Sequence, residues 1–159
     1  MVEPKLVIYP NEVLLQTCEA VDFNNIDPSK YKKAMIDIMA NNNGLGLAAP
    51  QVGLNYRFFM METDMFINPV ILEESENFVI DIEGCLSFPH MAMKVKRAKN
   101  VIVEYTDTSG KRKEGKYEGY MARCFQHELD HLNGITFDKR VSRLVFDRAL
   151  QQRKKQHGR

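Results

Sequence analysis

Apolar residues recur along this chain with two different periods. Tyr31, Ala34, Met35, Ile38 and Met39 follow the i, i+3, i+4, i+7, i+8 spacing of one helix face. Asp27 followed by Pro28 supplies a cap and a first-turn proline, and Asn41, Asn42, Asn43 and Gly44 stop the predicted helix. The period changes to two from Lys99 to Asp107, where Val101, Val103 and Tyr105 alternate with Ile102, Glu104 and Thr106. Asp107, Ser109 and Gly110 turn that strand into a charged partner over Lys111 to Tyr117. Shorter runs, Tyr56 to Met61 and Phe66 to Leu72, read as strands. A second helix is predicted from about Tyr120 to Asn133 with Gly134 as its left-handed cap. A third runs from about Val141 to Gln152 on a stripe of Leu144, Val145 and Leu150. Helices and hairpins without βαβ alternation predict an α+β fold.

Composition narrows the class. At 159 residues, 44% hydrophobic and 27% charged, the chain fits one ordinary globular domain rather than a disordered or fibrous one. Its longest apolar runs fall far short of the roughly 18 residues a membrane helix needs. Met1 to Pro10 lacks the pattern of a secretory signal, so a cytoplasmic location without membrane contact is expected. Cys18, Cys85 and Cys124 are odd in number and widely spaced, a poor disulfide framework. The net charge of +1 hides an asymmetry. Positions 139–159 hold eight basic residues against Asp147 alone, and positions 1–138 hold 14 basic against 20 acidic. The division expected is one acidic main domain over 1–138 and a basic helix and tail over 139–159, suited to an acidic or nucleic-acid surface.

Chemistry concentrates in three segments. His127, Glu128, Leu129, Asp130 and His131 form an H-E-x-x-H inside the second predicted helix. Residues four apart lie one turn above each other, so both imidazoles reach one metal ion while Glu128 takes and returns a proton. An open catalytic site needs a third ligand. The H-x-x-G-x-x-H completion fails because Phe137 stands at the required position, and no Glu follows Glu128. Cys124 shares the helix face but lies seven residues from His131, about 10 Å along the axis, so it is expected to line the cavity instead. Cys85, in Glu83, Gly84, Cys85, Leu86 and Ser87, is the better donor, on a loop that also offers a backbone N–H to an oxyanion. The third segment runs from Gly44 to Gly53. It lacks the Lys and Ser or Thr of a phosphate loop, but it offers close backbone approach and the amide of Gln51, a group able to stabilise an oxyanion.

Gly44 to Gln51, Glu83 to Ser87 and Gln126 to His131 together resemble the three ordered motifs of the peptide deformylase family, and the likeness covers most of the chain. The resemblance implies antiparallel and mixed sheets packed around a central metal-binding helix, with an N-terminal and a C-terminal helix. It implies hydrolysis of the formyl group of formyl-methionyl nascent peptides with release of formate. It makes Cys85, His127 and His131 the ligands of one divalent ion, natively Fe²⁺, with Zn²⁺, Ni²⁺ or Co²⁺ able to replace it. Glu128 becomes the acid/base, Gln51 and the Leu86 N–H the oxyanion donors, and Leu45, Gly46 and Cys124 the substrate contacts. A bacterial cytosolic enzyme, an organelle form without its transit segment and a virus-encoded copy share this pattern. A monomer suffices for the chemistry, and the basic tail is expected to meet the ribosome, as in bacterial relatives. A zinc peptidase, or a metal-bound RNA adaptor without activity, remain the competing readings. His90 reads as a surface histidine beside a turn-forming Pro89.

Overall fold

The computed structural model describes residues 2–158. A five-stranded antiparallel sheet contains β1 (Gly46–Ala48), β2 (Phe58–Met61), β3 (Asp64–Glu74), β6 (Asn100–Thr106) and β7 (Arg112–Glu118), paired in that order. A second sheet is the hairpin of β4 (Phe78–Cys85) and β5 (Phe88–Ala98). Three helices complete the α+β fold: α1 (Lys32–Asn41), α2 (Gly119–Leu132) and α3 (Arg143–His157). None is long and apolar enough to cross a membrane.

Helix α2 is the element around which the rest is arranged, packing on β1, β2, β5 and β7. Its Phe125 is fully buried against Phe59 and Phe66, with ring centroids 5.0 and 5.7 Å away. Truncating such a phenylalanine to alanine costs about 3–5 kcal/mol. A helix buried over most of its circumference is usually apolar throughout, yet α2 also buries Arg123, Gln126, His127, Glu128, Asp130 and His131. Gln126 shows how such residues are tolerated: its side chain accepts from the Ala98 N–H at 3.0 Å and donates to the Ala98 carbonyl at 2.9 Å, acting as an extra rung beside β5.

The expected elements are present with instructive shifts. Asp27 accepts from the Ser29 N–H at 3.1 Å, but Pro28–Tyr31 is a 3₁₀ turn before α1 begins, with Tyr31, Met35 and Met39 buried as the spacing predicts. The short link after Met60 forms a hairpin. Met61 pairs with Asp64 across a two-residue turn, made possible by a left-handed Glu62 at φ +52°. In α3 the predicted stripe holds at Leu150, which packs with Phe146 and Ala149 on Phe88, Met91 and Phe137, but not at Leu144 and Val145, which are 59% and 36% exposed. The segment from Leu6 to Tyr9 is irregular. The Val7 N–H donates to the Gln51 carbonyl at 2.8 Å and the Tyr9 N–H to the Ser87 carbonyl at 2.9 Å, tying this segment to two loops of the site.

Candidate metal centre

The three segments of the sequence converge at one end of α2. The β4–β5 ladder is irregular between Gly84 and Cys85, and Leu86 and Ser87 form the turn that closes the hairpin, so Cys85 sits at its tip. Across from it, His127 and His131 project from successive turns of α2. One donor atom from each of Cys85, His127 and His131 lies within 4.8 Å of the others. Cys85 Sγ is 3.4 Å from His131 Nε2. Cys124 is outside this group, as its distance along the helix requires, and lines the adjoining cavity.

The histidine roles are set by what lies behind them. His127 Nδ1 is 2.8 Å from Glu83 Oε1, which leaves Nε2 as its ligand nitrogen. Glu83 is fixed in turn by Arg97, with contacts of 2.8 and 2.9 Å, and by Arg123 at 2.7 Å. Arg97 also donates to Asp130 at 2.6 Å, and Arg140 closes a two-pronged contact on the same carboxylate at 2.9 and 2.6 Å. Arg123 caps the carbonyls of Val95 and Val79. A continuous line of charge-assisted bonds therefore runs from Arg140 through Asp130, Arg97 and Glu83 to His127.

The electrostatics follow from burial and these partners. Burial alone would raise the Glu83 carboxyl, but hydrogen bonds from Arg97 and His127 outweigh it and hold Glu83 well below the usual carboxylate range. Burial lowers His131 far below an ordinary histidine, with His127 beside it adding to the effect, so it is a neutral donor. Burial opposes charge on His127 too, yet its bonds to Cys85 and Glu83 prevail and push it up. Glu128 is pushed up to about 7, chiefly by burial, and its Oε2 is buried without a hydrogen-bond partner. Burial also raises the Cys124 thiol, with Glu128 adding to the shift.

A thiol, two imidazole nitrogens and a partnerless buried carboxylate oxygen fit a divalent cation well. The soft sulfur and borderline nitrogens suit a first-row transition ion, and a three-donor set leaves a position for water or substrate.

The remaining expected residues surround a cavity of about 960 Å³. Gly46 comes from β1. A Cβ there would lie 2.7 Å from Glu128 Oε1 and 2.8 Å from Cys124 Sγ, so the carboxylate packs where any other residue would carry a side chain. Gln51 lies in the 3₁₀ turn Ala49–Val52. Its Oε1 accepts from the Ala48 N–H at 2.9 Å, so its amide nitrogen faces Ser87 Oγ at 3.2 Å and Cys85 Sγ at 3.5 Å. Leu45 is 54% exposed at the mouth, and Leu86 is half-buried in the wall. His90 is exposed as expected, but Pro89 and His90 belong to β5 rather than to a turn. His90 lines the cavity and stacks on His157 with centroids 4.0 Å apart. Sequence reasoning missed Arg97, Arg123, Asp130 and Arg140. The available signal was an arginine in the inward row Met91, Met93, Val95, Arg97, and another one turn before His127.

Comparison with known proteins agrees with this geometry. The sequence pattern of the family described as "Polypeptide deformylase" matches residues 4–146. A relative from Thermotoga maritima, "Peptide deformylase", is 39% identical over 142 residues, covering 87% of each chain. The crystal structure of a Synechococcus elongatus peptide deformylase, in complex with actinonin, superposes with a TM-score of 0.89 at 33% identity, covering 94% of this chain and 87% of that one. One from Ehrlichia chaffeensis, also with actinonin, gives 0.88 at 34% identity, covering 99% of both.

Proposed function

Because the chain belongs to the polypeptide deformylase family, with that family's hydrolytic activity on N-formyl peptides, we propose that Cys85, His127 and His131 hold its metal ion and that Glu128 is its acid/base. The observation that carries this assignment is the partnerless Oε2 of a buried Glu128 beside three convergent donors. A bound divalent ion supplies Lewis acidity, making water nucleophilic near neutral pH and polarising the formyl carbonyl.

The chain's own groups do the rest. Glu128, a buried carboxylate beside the three donors, accepts a proton from the attacking water and returns it to the leaving amine. The products are formate and a free N-terminus. Gln51, its orientation fixed by the Ala48 N–H, donates to the oxygen that becomes an oxyanion, and the Leu86 N–H is the second donor. Each such contact is worth roughly 10²–10³ in rate. Gly46 lets Glu128 and Cys124 pack directly on β1, an acyl group larger than formyl is expected to clash near Gly46 and Leu86, and Leu45 and Cys124 flank the methionine side chain. Glu83 holds His127 in one tautomer and orientation.

The native ion in this reading is Fe²⁺, with Zn²⁺, Ni²⁺ or Co²⁺ as substitutes. The catalytic unit is 1–138, working as a cytoplasmic monomer, and 139–159 delivers it to the ribosome through rRNA phosphates. Part of that basic charge is already committed, since Arg140 pairs with Asp130.

The test is formate release by metal-loaded protein from formyl-Met-Ala-Ser and from its acetyl counterpart. Only the formyl peptide should react, and Glu128→Gln should lose at least about 10²-fold in rate while keeping its metal. Equal hydrolysis of both peptides, or an active Glu128→Gln enzyme, refutes the assignment.

A further inference from the structure

The β4–β5 hairpin carries an outer face that the catalytic site does not use. In an antiparallel pair, directly opposed residues point to the same side. The register sets Gly84 opposite Ala92, Ile82 opposite Lys94 and Ile80 opposite Lys96. Phe78, Ile80 and Ile82 are 52%, 65% and 62% exposed, an unusual row of large apolar side chains on one strand. Beside it on β5 stand Lys94 and Lys96, both exposed. Among the described residues neither lysine has a carboxylate partner, and Lys96 Nζ lies 4.6 Å from the Phe78 ring centroid. On the opposite pleat of the same hairpin Glu83, Met93, Val95 and Arg97 are buried.

This face begins inside the catalytic cavity. Gly84, Ala92 and Ile82 all line that cavity, and the row then continues outward through Lys94, Ile80 and Lys96. From Gly84 to Ile80 is four residues, about 13 Å at the usual strand rise. A peptide whose formylated residue sits at the metal centre and whose chain leaves over Gly84 and Ala92 brings residues about four to seven onto the apolar row, with the lysines alongside.

We propose that the outer face of the β4–β5 hairpin is an extended substrate surface that binds downstream residues of the formylated peptide and favours acidic side chains there. The inference rests on the deformylase reading and adds to it a substrate preference beyond the first residues. Charge favours this occupant over a second copy of the chain, because a two-fold contact of the face with itself gathers four lysines and no compensating acid from either row.

The experiment compares formyl-Met-Ala-Ser with two formyl nonapeptides carrying Asp or Lys at positions 5 and 7, on the metal-loaded enzyme and on Lys94→Glu/Lys96→Glu. The wild type should favour the Asp nonapeptide over the Lys one by about threefold to tenfold in kcat/KM at low salt, through KM, the range expected for two exposed ion pairs. The double variant should invert that order and turn over the tripeptide at the wild-type rate. In parallel, anisotropy of the labelled nonapeptides reads the surface without turnover, so an enzyme inactive on the tripeptide defeats the deformylase reading and leaves the surface measurable. Equal affinity for both nonapeptides, or a preference untouched by the charge reversal, overturns the proposal. So does self-association that the charge reversal changes while peptide affinity stays constant.

Discussion

Removing the metal should expose a pH dependence of stability that belongs to Glu128. Its carboxyl is raised from 4.5 to about 7 in the fold, mainly by burial. The sign follows from linkage. At low pH the group is protonated in both states and burial costs nothing extra. As pH rises past the unfolded value, the unfolded chain ionises first, and the folded state loses stability until its own carboxyl titrates near 7. The full loss is the difference between the two values at about 1.4 kcal/mol per unit, or about 3 kcal/mol, of which about 2 to 3 kcal/mol falls between pH 5 and pH 8. Glu128→Gln has no such titration. Urea unfolding of metal-free wild type and variant at the two pH values isolates the effect, because shared groups cancel. Among these is Glu83, whose lowered carboxyl contributes stability that is lost as pH falls. The variant should gain about 2 to 3 kcal/mol on the wild type between pH 5 and 8, equivalent to roughly 4 to 12 °C in a chain of this size. A difference that stays constant with pH would mean that Glu128 is already ionised in the metal-free fold, and the assignment of burial as the dominant influence would fail. Adding the metal should abolish the trend, since a nearby cation favours the carboxylate.

Two further outcomes follow from the geometry. Gly46→Ala places a methyl group 2.7 Å from Glu128 Oε1 and should cut kcat/KM on formyl-Met-Ala-Ser about 10²-fold with the fold intact by circular dichroism. Adding Cys124→Ala removes only the 2.8 Å contact and should not restore the rate, whereas activity within twofold of wild type would show that the carboxylate has room to shift. Ending the chain at Arg153 removes Lys154, Lys155 and Arg159. It should spare the tripeptide activity while lowering the salt slope of ribosome binding by roughly two to three units; an unchanged slope would leave the tail without that role.

The centre was legible in the sequence where its geometry is local. His127, Glu128 and His131 are fixed to one another by the helical repeat, and Gly134 marks the end of their helix. The same holds for α1, whose buried Tyr31, Met35 and Met39 were readable from spacing. What depends on distant partners was not readable. Strand β4 runs Phe78, Val79, Ile80, Asp81, Ile82, and its apolar residues do not mark a core, because Phe78, Ile80 and Ile82 stand exposed on an outer face and Val79 on the other pleat is 39% exposed. The phase of α3 also had to come from its partner. Phe88, Met91 and Phe137 select Phe146, Ala149 and Leu150, although Leu144 and Val145 looked equally fit for burial. A charge total of +1 hid the most consequential ion pairs, because the residues concerned are separated by up to 40 positions along the chain.

Those buried pairs bear on why this fold carries so much charge around one helix. Glu83, Arg97, Arg123 and Asp130 are each nine-tenths or more removed from solvent. Burying ions this deeply is poor value as stability alone, since well-packed apolar residues of similar volume often do as well or better. Geometry explains what packing does not. An apolar residue at 83 would leave the His127 ring free to turn, and a neutral amide there would lose one partner among Arg97, Arg123 and His127. A carboxylate accepts from all three at once, and Asp130, clamped between Arg97 and Arg140, stops Arg97 from following Glu83 if the hairpin shifts. Each charge thus removes one freedom from the next, and the last freedom removed is that of a metal-ligand imidazole. Two donors come from a rigid helix and the third from a hairpin tip 42 residues away in sequence. Glu83 lies two residues before that tip on the same strand, so its bond to His127 fixes the spacing between hairpin and helix at the point where the metal must fit.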